Sequence, residues 1–235
     1  AGVTIDHDVF GAGKGVASDV RTALVSGNTT IVMMGGDVKQ SVYGGGELSQ
    51  VGGNTGITVS GGTIGTPMDG ETRYGGEKWG NIYGGGKGNT TNVRSGLIKG
   101  NTTITVQDLV ATADNAEYYG VSAGTVVSSP TILHSTYGGG AHGSVGTYTY
   151  TDEAAPNTSI SGYTSGGTAT IRILGGTIGY DGHDNGMVFG SSRGDIDRPN
   201  TIYDNVAWVY STNVIIGGEG YNPHIKGSVY GSGEN

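Results

Sequence analysis

The stretch "SVYGGGELSQVGGNTGITVSGGTIG", Ser41 to Gly65, decides how this chain is read. Taken alone it resembles a flexible glycine-rich linker. Against the rest of the chain it is one unit of a repeat. Its first element, "VYGGG", has six copies: "VFGAG" from Val9, "VYGGG" from Val42, "IYGGG" from Ile82, "TYGGG" from Thr136, "VFGSS" from Val188 and "VYGSG" from Val229. The aromatics Phe10, Tyr43, Tyr83, Tyr137, Phe189 and Tyr230 are spaced by 33, 40, 54, 52 and 41 residues. A second element falls once in every gap: "NTTIVMMGGDV" from Asn28, "NTGITVSGGTIG" from Asn54, "NTTITV" from Asn101, "TATIRILGGTIG" from Thr168 and "STNVIIGGEG" from Ser211. The third copy lacks its Gly-Gly.

The physics of one unit follows from these residues. "TGITVSG" alternates with period two, so it is a strand with one buried face. "GGTIG" is a turn and a second short strand. "SVYGGG" is a third, ended by glycines that tolerate positive φ or a close backbone. Ile31 to Tyr43 takes 12 residues and Tyr43 to Ile57 takes 14, so the shortest circuit is 26 residues. That is one coil of a β-solenoid, which buries its apolar side chains only by stacking on neighbours. The expectation is an all-β solenoid of about five coils in a single domain spanning 1–235. Phe10, Tyr43, Tyr83, Tyr137, Phe189 and Tyr230 are expected to form a structural ladder. Both ends stop in mid-unit, which suggests a segment of a longer array whose neighbours would be adjacent repeat segments. The long units imply insertion loops at 66–80, 107–135, 141–166, 180–186 and 195–210.

Composition agrees. Glycine supplies 49 of 235 residues, but only 5 are proline and 14% are charged, while β-branched and tyrosine residues are plentiful. Disordered chains lack such residues. A net charge of −8 without a Lys/Arg cluster argues against a nucleic-acid partner. Cysteine is absent, which excludes disulfides and thiolate metal sites. No apolar run reaches the roughly 18 residues of a membrane span.

The paired motif "VYGGG…GNTxIxVxGGxI" resembles the Gly-rich repeat arrays of large surface-exposed, adhesin-like proteins of anaerobic bacteria. The resemblance covers nearly the whole chain. It implies a right-handed parallel β-helix, secretion and display at the cell surface. It carries over no catalytic residue.

Chemistry is sought where units depart from the compact one. The loop "TPMDGETRYGGEKWGN" carries Asp69, Arg73, Tyr74 and Trp79, a ligand-binding set suited to stacking on a sugar ring and bonding its hydroxyls. Tryptophan occurs only at Trp79 and Trp208; tyrosines near Tyr118 and Tyr148 are weaker versions of the same signal. The expected partner is a glycan or a host or cell-surface protein. In "DGHDNGMVFGSSRGDIDRPN" the carboxylates Asp181, Asp184, Asp195 and Asp197 are the alternative, a polysaccharide lyase or glycoside hydrolase site. The same segment partly matches a calcium loop, with Asp181, Asn185 and Gly186 at suitable offsets but His183 and Ser192 where oxygen ligands belong. No other cofactor is expected. Arg193 to Asp195 spell the integrin-ligand tripeptide, which three residues match often by chance. A purely structural, self-associating repeat is the remaining alternative.

Overall fold

A computed structural model describes residues 2–67, 80–181, 185–194 and 205–234. The chain is all-β, and its larger sheets are parallel. The six "VYG" copies form one sheet, with Val9–Phe10, Val42–Tyr43, Ile82–Tyr83, Thr136–Tyr137, Val188–Phe189 and Val229–Tyr230 side by side in chain order. The second element does the same. Thr29–Val38, Thr55–Ile64, Thr102–Val106, Thr168–Ile173 and Ser211–Ile216 pair in parallel, and Ile31, Ile57, Ile104, Ile171 and Val214 share one register. Ile5, Val38, Ile64, Ile132, Ile178 and Ile225 make a further row. Single parallel bridges join successive units at two further rows, the corners, through Lys14, Glu47, Lys87, Ala141, Arg193 and Glu234, and through Val25, Val51, Ile98, Val145 and Val209. Each repeat unit is called a rung below.

The alternation of the strands is what fills the interior. Val42, Ile57, Ile64, Ile82, Ile104, Ile132, Ile171 and Ile178 belong to one buried cluster. Beside it the aromatic rings stack nearly parallel, with centroids 4.7 Å apart for Phe10 and Tyr43, 4.8 Å for Tyr43 and Tyr83, 4.9 Å for Tyr83 and Tyr137, and 5.0 Å for each of the next two pairs. Each such pair contributes about 0.5–1.5 kcal/mol beyond the area it buries.

The glycine after the aromatic is required by close approach. A Cβ on Gly44 would lie 2.2 Å from the Gly84 carbonyl oxygen, and one on Gly84 equally close to that of Gly138. The same carbonyls accept threonine hydroxyls: Thr29 Oγ1 donates to Gly44 O at 2.6 Å, Thr55 to Gly84 O at 2.5 Å, Thr102 to Gly138 O at 2.6 Å and Thr212 to Gly231 O at 2.6 Å. The asparagine before Thr29, Thr55 and Thr102 has a parallel duty. Asn28 Oδ1 accepts from Asn54 N–H, Asn54 Oδ1 from Asn101 N–H, and Asn101 Oδ1 from Thr168 N–H.

One detail differs from the sequence reading and another follows it. In the two most compact units the Gly-Gly does not separate two strands: Thr29–Val38 and Thr55–Ile64 run on through it, with a register irregularity near Met34 and Gly36 and Gly62 at φ +82° and +85°. In the copy without Gly-Gly the strand stops at Val106. The chain then makes an excursion holding an antiparallel pair, Leu109–Val110 with Val126–Ser128, and a short helix, Ala116–Tyr119, before returning at Thr131–Ile132.

One position breaks the threonine pattern. Ala169 occupies the register of Thr102 and Thr212, and its Cβ holds the same 3.1 Å relation to the neighbouring glycine position as that of Thr102. Ala169→Thr is expected to supply the missing bond to Gly190 O and to raise stability by about 1 kcal/mol. Thr102→Val removes such a bond and leaves a buried carbonyl unpaired, with an expected loss of about 1–3 kcal/mol. Urea denaturation of both variants checks the pair.

Candidate functional site

The corner bridges show where rungs depart from one another. From Glu47 to Val51, and from Ala141 to Val145, the chain crosses between the two corners in four residues. From Lys14 to Val25 and from Lys87 to Ile98 it takes eleven, and from Arg193 to Val209 sixteen. A hairpin, Thr147–Tyr150 with Ile160–Ser165, leaves just after Val145. The two eleven-residue crossings and the hairpin emerge on the same flank and lace together. Asn92 Nδ2 donates to Ala17 O at 3.1 Å, Gln50 Nε2 to Arg94 O at 3.1 Å, and Val93 N to Pro156 O at 2.9 Å.

The loops around 18–21 and 92–99 and the hairpin enclose an open cleft of about 630 Å³. Arg94 is its organising residue. Its guanidinium lies 4.0 Å from the Tyr150 ring centroid, donates to Ala155 O at 2.7 Å and pairs with Glu153 at 3.2 Å. Glu153 in turn accepts the Tyr150 N–H at 2.9 Å. Arg21 pairs with Asp19 at 3.2 Å, and Lys99 adds a further cation to the lining. Tyr150 is buried and its hydroxyl has no hydrogen-bond partner; burial raises its pKa.

The hairpin's other side faces a depression of about 360 Å³ lined by Tyr148, Ile160, Ser161, Tyr163, Trp208 and Tyr210. Tyr163 and Tyr210 stack with centroids 3.6 Å apart and planes 4° apart. Tyr148 lines both cavities and meets Trp208 edge to face at 6.5 Å. The described residues here suit stacking and hydrogen bonding.

The residues singled out in the sequence fare differently. Asp69, Arg73, Tyr74, Trp79, Asp184, Asp195 and Asp197 lie outside the described residues. Asp181 is exposed and pairs with Lys226 at 2.8 Å, a contact that lowers its pKa. Asn185 Oδ1 accepts from Tyr180 N–H at 2.8 Å, and Ser192 Oγ joins Gly140 N and Gly143 O. The described residues hold no cluster of three His, Cys, Asp or Glu residues that could bind a metal. Arg193 is 1% exposed, so it is not displayed as an integrin ligand requires. It forms a buried ion pair with Glu234 at 3.3 Å, and Glu234 also accepts the Tyr137 hydroxyl at 2.5 Å.

The sequence reading passed over Arg94 and its loop, whose signal was the eleven-residue crossing between corners that elsewhere need four; Tyr150 lies in the expected 141–166 insertion, beside Tyr148. Among the described residues, no helix is long and apolar enough to cross a membrane. Comparison with protein families, curated proteins and solved structures finds no match.

His134 gives a pH test of the packed rungs. It is buried, with Nδ1 2.7 Å from Asn81 Oδ1, and burial chiefly, with the Arg193 charge second, lowers its pKa from 6.5 to about 3. The unfolded chain therefore takes up a proton that the folded chain refuses. Stability is full above pH 6.5 and falls as pH drops towards 3, by up to a few kcal/mol from this group. In urea denaturation between those limits, His134→Asn is expected to flatten the slope.

Proposed function

We propose that this chain is a segment of an extracellular surface protein: a right-handed parallel β-helix that serves as adhesin or stalk, without enzymatic activity, and binds glycan through its insertion loops. One observation carries the reading. Two loops, around 18–21 and 92–99, and the hairpin after Val145 leave the regular register on a shared flank, where they build adjoining cavities. A repeat that served only as a spacer has no need of such a flank. The resemblance of the paired motif to bacterial surface arrays supports the location.

A second reading, a structural repeat that associates with itself, is favoured by the sheet ends. Thr29–Val38 and Ser211–Ile216 are end strands of the parallel row. Val32 and Met34 are 61% and 63% exposed beside an apolar groove of about 220 Å³. Neither strand carries a charge along its unpaired stretch, the usual protection of an edge.

One variant separates the readings. The compact unit runs Val51-Gly52-Gly53 into its next strand, and Val145, Gly146 and Gly167 hold the equivalent places. A Cβ on Gly146 would lie 3.0 Å from Gly167 Cα, so the hairpin leaves and returns at one point. Deleting residues 147–166 therefore restores a compact rung. The trimmed protein is expected to keep its β-sheet circular dichroism and self-association but lose binding to surfaces coated with mucin or bacterial polysaccharide. Unchanged binding would remove the insertions from the function. A sedimentation coefficient that climbs with concentration, together with no surface binding by the parent protein, would favour the structural reading.

A further inference from the structure

We propose that the depression between the hairpin and Trp208 is a saccharide site that takes a pyranose ring of a neutral oligosaccharide against Trp208 and Tyr210. The proposal rests on the insertion flank being the binding face and names the ligand class.

Three large aromatic side chains meet there in the open: Trp208 is 44% exposed, Tyr210 59% and Tyr163 41%. Exposed aromatics gathered in one concavity mark a binding surface more than a packing accident. The arrangement is fixed before any ligand arrives. Tyr163 O–H donates to Gly166 O at 2.8 Å, and Tyr148 O–H to Val145 O at 2.6 Å. Those two rings in turn meet the shelf, Tyr148 edge to face with Trp208 and Tyr163 stacked on Tyr210, and the Trp208 backbone N–H donates to Ser144 Oγ at 3.0 Å. Groups packed in this way lose little freedom on binding, which favours affinity.

The chemistry of the lining selects the ligand. Its described residues, from Tyr148 through Ile160, Ser161 and Tyr163 to Trp208 and Tyr210, include no charged side chain. A phosphate or uronate would find no counter-charge among them. The C–H face of a neutral sugar suits an aromatic shelf, and the sugar hydroxyls suit a polar rim such as Ser161 Oγ, already 3.3 Å from Thr149 Oγ1. The cavity has the size of a small-ligand site, whereas a stable protein partner needs about 800 Å² on each side.

The test uses a printed array of short neutral oligosaccharides of glucose, galactose, mannose and N-acetylglucosamine, followed by calorimetry with whichever is retained. Because the chain has two tryptophans, a Trp79→Phe background assigns any change in emission to Trp208. The expected result is a shift of Trp208 emission on titration. The Kd should rise about tenfold in Trp208→Ala and in Tyr210→Ala. Trp208→Phe should retain most of the affinity. Tyr221→Ala, an exposed tyrosine outside the depression, should leave it unchanged. No retained oligosaccharide, or binding that survives both alanine variants, overturns the proposal. Loss of surface binding on deleting residues 147–166, with both alanine variants unaffected, would reject this shelf and leave the insertion flank as the binding face.

Discussion

Everything in this molecule depends on the approach of one rung's glycine to the glycine carbonyl of the next. Parallel pairing sets the rungs about 4.8 Å apart. At that spacing a side chain at Gly44, Gly84 or Gly138 would overlap a carbonyl oxygen. The bare backbone leaves that oxygen open to a threonine hydroxyl from the neighbouring strand. The preceding aromatics then have no choice but to stack at the same repeat. Glycine, aromatic and threonine are thus three consequences of one distance, which is why the motif recurs while the chain between its copies varies.

That constraint also explains where variation is allowed. Inside a rung each strand is bonded on both sides, and an added residue would shift every inward side chain to the outside. At the corners only single bridges join neighbouring rungs, so chain can leave and return with little disturbance. The eleven-residue crossing from Lys14 to Val25, or the hairpin after Val145, alters neither the row of isoleucines nor the row of rings. Loops released from stacked corners lie over one another, and Arg94 reaches from its own loop to the hairpin's Ala155 and Glu153. A composite cleft is the natural product of insertions in successive rungs.

The parallel, all-β character was legible because the glycines and β-branched residues that impose it recur visibly, and because Ile57, Ile104 and Ile171 mark one register. The break at the third copy was legible too: without Gly-Gly after Val106 the chain has no tight turn, and the structure puts an excursion there. The site was less open to reading. Arg94 and Tyr150 come together from positions 56 residues apart; the insertion holding Tyr150 was expected, but only the corner spacing, marked by the unremarkable Lys87 and Ile98, hints at the loop of Arg94. Arg193 looked like part of a solvated, Asp-rich loop, yet it is the buried end of an ion pair whose partner, Glu234, lies one rung on. Sequence proximity misleads in such a fold because the nearest neighbours in space are one full rung away.

The register of the stacked rungs is the central claim, and the absence of cysteine makes it directly measurable. Thr105 and Arg172 are register partners on adjacent strands, and neither is fully buried. Cysteines placed at 105 and 172 would have a Cα separation near 4.8 Å, within the range that a disulfide spans. The account predicts rapid intramolecular crosslinking of that pair on mild oxidation, and little in a pair at 103 and 172, two residues out of register. Equal crosslinking of both pairs, or preference for the shifted one, would contradict it.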